Sequence, residues 1–200
     1  MRLSRLLTAL LCSALLAGCA SSATPPSTYM LPVQDTPETG AQHSAGAGEE
    51  APPLVLRTLR LAPFLDVKGI VFQLDDVRLR EAGSHQWAEP LAAQLERGLR
   101  DRLASRLPQH RVLLDPALDG ETPALSLRVD IDRFQGHRSG HAVVAGRWQL
   151  RDARGEPLAH RRFAFKTPLE ADGYPALVRA LAEGLDRLAD EISEQARNRN

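Results

Sequence analysis

Leu125-Ser126-Leu127-Arg128-Val129-Asp130-Ile131-Asp132 alternates apolar and polar residues without a slip. Successive side chains of a strand point to opposite faces, so this stretch buries Leu125, Leu127, Val129 and Ile131 and leaves Arg128, Asp130 and Asp132 in water. A sheet with one covered and one solvated face follows. Downstream, a turn at Gly136 to Gly140 leads to Ala142–Arg151, with Val144, Gly146, Trp148 and Leu150 on one face. Asp152-Ala-Arg-Gly155 reads as a hairpin turn whose glycine takes positive φ. Leu158–Lys166 returns with Phe163 and Phe165 together. The three strands form an antiparallel meander.

Upstream, Leu54–Leu61 reads as a strand, although its leucines do not keep one alternation, which leaves a bulge or partial burial on both faces. Ala62-Pro63 ends it. Ile70–Gln73 is a second strand, and the turn at Asp75-Asp76 leads into a short third around Val77, Leu79 and Glu81. Leu91, Leu95, Leu99, Leu103 and Leu107 recur every four residues, with Ala88 and Ala92 beside them. This spacing predicts a helix from about Gln86 to Leu107, with Pro90 in its first turn and Pro108 as its stop. Arg111–Leu114 is a strand and Asp115–Thr122 a loop. Leu177, Val178, Leu181, Leu185, Leu188, Ala189 and Ile192 predict a last helix over Tyr174–Ala196, with Gly184 on its buried stripe. The fold class is α+β: a mostly antiparallel sheet with two long helices packed on one face.

The chain begins differently. Arg2 and Arg5 precede an apolar run from Leu6 to Gly18, too short for a spanning helix of roughly 20 residues. Leu16-Ala-Gly-Cys19 ends the run as a lipobox. Residues 1–18 are thus expected to be a lipoprotein signal peptide, with Cys19 the lipidated first residue of the mature chain. Residues 19–53 are expected to be a flexible tether rich in Ala, Ser, Gly and Pro. An apolar island at Tyr29-Met-Leu-Pro-Val33 is either a chance cluster or a segment that docks on the domain. Residues 54–200 form the single α+β domain.

Composition limits the function. The whole chain has 25 basic and 25 acidic residues, and loss of Arg2 and Arg5 with the leader leaves a net charge of −2. That balance argues against a nucleic-acid partner and gives no general attraction to an anionic surface. With Cys12 in the leader and Cys19 lipidated, no cysteine remains for a disulfide or a nucleophile. His137 and His141 flank a turn with no third ligand at metal spacing, so a solvated loop is expected and no metal or cofactor. Asp75-Asp76 reads as a turn. Asp130 and Asp132 share a face with Arg128 and Arg133 nearby, which suggests a salt-bridged outer surface. Ser139 lacks the context of a nucleophile elbow. No catalytic residue is expected.

The group that stands out is His85-Gln-Trp-Ala-Glu-Pro-Leu91, a shaped corner after Gly83-Ser84. Together with the lipobox, the Tyr29-Met-Leu-Pro32 island, Leu61-Ala-Pro-Phe-Leu-Asp66 and Ile70-Val71, its Trp87-Ala-Glu-Pro-Leu91 resembles the PqiC family, the ABC-type transport auxiliary lipoproteins. The resemblance covers about residues 28–195. The chain departs from the family at Val67-Lys68-Gly69 and by an insert from about Asp35 to Pro53.

The resemblance implies a non-enzymatic lipoprotein, anchored in the outer membrane and facing the periplasm. It would serve an MCE-domain (mammalian cell entry) partner that moves lipid between the two membranes. Ala20, after the lipidated cysteine, carries no inner-membrane retention signal. Trp87, Glu89, Pro90 and Asp66 are the candidate partner-binding residues, with Trp87 and Leu91 favoured as structural and Glu89 as mixed. A homo-oligomer stays open. The alternative is an assembly or secretion-associated lipoprotein of another envelope machine.

Overall fold

The computed structural model describes residues 25–33, 51–114 and 124–198. The leader, Cys19, most of the tether and the loop after Leu114 lie outside them. The strands are β1 (Ser27–Tyr29), β2 (Pro53–Leu61), β3 (Gly69–Gln73), β4 (Leu79–Trp87), β5 (Arg111–Leu114), β6 (Leu125–His137), β7 (His141–Asp152) and β8 (Pro157–Pro168). The helices are α1 (Leu91–Arg106) and α2 (Tyr174–Arg197). A 3-10 turn, Pro63–Leu65, follows β2.

All eight strands join one sheet, and β6 is its spine. One edge of β6 pairs along its length with β7, which pairs with β8, giving the expected antiparallel meander. The other edge is shared. Its first half runs parallel to β2, and its end runs parallel to β3. The sheet therefore forks there into β2–β5 and β3–β4–β1. The pairs β1–β4, β2–β5, β2–β6 and β3–β6 are parallel, and only β3–β4, β6–β7 and β7–β8 are antiparallel. The sheet is mixed, which corrects the mostly antiparallel expectation. Parallel pairs need long connections, and β2 and β5 are joined through one that contains α1.

Two boundaries also move. β4 runs nine residues through Gly83-Ser84, where the sequence suggested a turn, because Ser27–Tyr29 supplies a partner for its end. The helix starts at Leu91, not Gln86. Pro90 disfavours helical backbone in the residue before it, and the Trp87 N–H bonds the Lys68 carbonyl instead, at 2.8 Å. Ala88 consequently lies outside the helix and is exposed.

Both helices lie on the face expected. Leu91, Leu95, Leu99, Leu103 and Leu107 are all buried, as are Leu177, Leu181, Leu185, Leu188 and Ile192. They meet Leu125, Leu127, Val129 and Ile131 of β6 in one core. The alternation of β6 ends at a bulge between Ile131 and Arg133, after which Phe134 takes over the core side. Of the two readings open for β2, the register shows a bulge, between Leu56 and Thr58. Gly184 brings α2 against β7: a Cβ there would sit 2.4 Å from Val144 Cγ2.

Candidate functional site

The corner between β4 and α1 is where the N-terminal segment, the sheet and both helices converge. Trp87 ends β4 and is buried at 6 % exposure, its ring 6.2 Å from that of Phe134. Pro90 caps α1 and accepts a hydrogen bond from the Gln94 N–H. Glu89 is half-buried and forms an ion pair with Arg97, nearly two turns into the helix. Asp66 is exposed on the loop after the 3-10 turn, where its N–H bonds the Pro63 carbonyl. That loop continues to Lys68, whose carbonyl holds Trp87. The fold thus brings Asp66 to the same corner as Trp87, Glu89 and Pro90, with Trp87 turned inward and Asp66 outward.

The Tyr29 island docks on this corner. β1 runs parallel to β4, and the Ala88 N–H bonds the Tyr29 carbonyl at 2.9 Å. The Tyr29 hydroxyl lies 2.9 Å from His85 Nδ1, and the His85 ring stacks on Tyr174 with centroids 3.9 Å apart. Leu31 is buried, and its N–H donates to Gln94 Oε1 at 2.9 Å. The Gln94 amide nitrogen then donates to the Glu89 carbonyl. Arg102 is 2 % exposed and donates to the Pro32 carbonyl, the Gly98 carbonyl and Asp186 of α2. A buried arginine is tolerated because all three contacts accept from its guanidinium, one of them a carboxylate.

Sequence reading missed Gln94, Arg102 and the His85–Tyr174 stack. The first two carried a signal: both flank the leucine stripe, where a polar residue must have a buried partner. His85 and Tyr174 are far apart in the chain and gave none.

The other candidates fall elsewhere. His137 and His141 are directly opposed strand ends rather than loop residues. Their rings stack at 4.6 Å, and both Nδ1 atoms approach Ser139 Oγ, at 2.5 and 3.0 Å. Desolvation holds His141 below the usual histidine range, helped by the nearby Lys166 and Arg133 cations. No group of three metal-ligating side chains occurs among the described residues. Asp75 accepts from the Val77 and Arg78 N–H groups and from the Arg78 side chain, which lowers its pKa. Asp130 pairs with Arg147 of β7, not with Arg128 or Arg133. A groove of about 80 Å³ runs past Met30–Val33 and Glu89. A wider depression of about 500 Å³ between β8 and α2 sets one aromatic, Phe165, among charged side chains. The groove is too small to enclose a lipid tail, and the wider depression is lined mostly by charged side chains.

Residues 29–193, from the docked tyrosine to the last turns of α2, match the family model of the ABC-type transport auxiliary lipoprotein component. The chain belongs to this family. It is 30% identical over 180 residues to the intermembrane transport lipoprotein PqiC of Escherichia coli K12, covering 90% of this chain and 91% of that one. The same values hold for PqiC of Shigella flexneri. A crystal structure of an uncharacterized protein superposes with TM-score 0.70 at 25% identity, over 86% of this chain and 99% of the other. One from Xanthomonas campestris superposes at 0.61 with 16% identity, over 88% and 99%, and shows the fold alone. The family match begins at Tyr29, so the auxiliary lipoprotein domain takes in the docked segment as well as the residues after the insert.

Proposed function

We propose that this auxiliary lipoprotein is anchored in the outer membrane by lipid on Cys19, faces the periplasm, and serves an MCE-type lipid transport system by binding its membrane-anchored MCE-domain protein. The single observation that carries the reading is the family match across 29–193, which includes the docked β1 segment. Docking sharpens the anchoring. Only residues 20–26 separate Cys19 from Ser27, and an extended chain spans at most about 3.3–3.6 Å per residue. The corner at Trp87 would then hang within about 30 Å of the lipid.

In this reading Glu89, Pro90 and Asp66 present the corner to the partner, and Trp87 shapes it from below. Mass spectrometry of the mature N-terminus should find acyl chains on Cys19, and density-gradient fractionation should place the protein with outer membranes. A Cys19→Ala chain that still fractionates with membranes would refute the anchor. Two or more acyl chains hold far more firmly than one, so the loss should be near complete.

A further inference from the structure

The sheet face turned away from both helices is strongly cationic. The strand registers set Arg162 of β8, Arg147 of β7, Asp130 of β6 and Arg60 of β2 side by side in one row. The adjacent row on the same face carries Arg128. All four arginines are exposed. Asp130 is the carboxylate in the row, and Arg147 already holds it at 2.9 Å; exposed Asp132 adds a second acid nearby. Arg60, Arg128 and Arg162 make no ion pair among the described residues. Arg147 and Arg162 are directly opposed, and like charges facing each other across strands destabilise a sheet. An anionic surface laid over the row would turn that cost into attraction. At the hairpin end of the face, the Lys166 and Arg133 cations reinforce the desolvation that disfavours protonation of His141.

We infer that this face docks an acidic protein surface, carried by the MCE-domain partner; the partner's identity rests on the function proposed above. Arginine forks match carboxylates bidentately, and an aspartate within the row fits a partner that presents mixed charge. A bilayer fits less well. An eight-stranded sheet twists, so its rows cannot all lie on a plane. The exposed large apolar residues, Met30, Val33, Phe64, Val77 and Leu79, all lie off these rows, so none is placed to enter a headgroup layer.

The test uses the full chain carrying Cys19→Ser and the purified periplasmic region of the MCE-domain protein. Binding is measured at low and high salt for the parent, for R128E/R162E, and for R179E on α2 as control. R128Q/R162Q guards against misfolding from charge reversal, and thermal melts confirm folding. R128E/R162E should weaken binding by about tenfold or more, R128Q/R162Q by less, and R179E not at all, with the parent's affinity falling as salt rises. Parent binding equal to that of R128E/R162E would overturn the docking face and leave the partner reading standing. A parent that binds no MCE-domain protein at any salt would overturn the partner reading and this proposal with it. Loss of binding to phosphatidylglycerol vesicles in R128E/R162E, with partner binding intact, would reassign the face to the membrane and overturn the proposal.

Discussion

Trp87 and His110 show how much one side chain's surroundings decide. Trp87 sits where strand, loop and helix meet, and truncating a buried aromatic costs roughly 3–5 kcal/mol. Trp87→Ala should therefore lower the melting temperature markedly, and any loss of partner binding should follow from unfolding. A variant with unchanged stability that no longer binds would make Trp87 a contact residue. Glu89→Ala removes an ion pair with half-exposed Arg97, so its stability cost should stay below about 1 kcal/mol. His110 is 3 % exposed, and its Nδ1 has no partner. Desolvation lowers its pKa below the ordinary 6.5. The folded state then binds fewer protons than the unfolded chain. Stability is fully present above 6.5 and declines as pH falls from there toward the lowered value. Urea melts from about pH 7.5 to 5 should show the decline, and His110→Leu should flatten it. An unchanged slope would mean that His110 is not buried neutral.

Among the elements, those legible in the sequence were those that carry their own period. The meander and both leucine stripes follow from side-chain spacing, which is local information. The parallel pairing of β2 with β5 and β6 was not legible, because a short apolar run does not name its neighbour. The continuation of β4 to Trp87 depended on β1, which comes from 50 or more residues upstream. The same applies to the site: Trp87, Glu89 and Pro90 stood out as a motif, but His85–Tyr174 needed the fold. Gly184 was legible on its stripe. Gly184→Ala gains roughly 1 kcal/mol of helix propensity but drives a methyl into Val144, and overpacking costs about 1–3 kcal/mol. Net destabilisation is expected in urea melts, with partial rescue by Val144→Ala; a stabilised variant would contradict the close packing. Gln94→Leu leaves the buried Leu31 N–H without its acceptor, costing roughly 1–3 kcal/mol or releasing the segment. Hydrogen exchange should then speed up at Tyr29 and Leu31 while the meander stays protected. Unchanged protection there would mean that other contacts hold β1.

At the scale of the whole molecule, the proposed function draws on three features: a sheet covered on one face, a docked N-terminal segment and a cationic open face. The corner and the open sheet face are separate surfaces, so a partner can touch both. The most direct test is co-purification from detergent-solubilised envelopes, with a tag on this chain at its native level and the MCE-domain protein quantified in the eluate. The MCE-domain protein should elute in constant ratio with the tagged wild-type chain and be lost with the chain carrying R128E/R162E. An eluate without MCE-domain protein, from cells that contain it, would contradict the account.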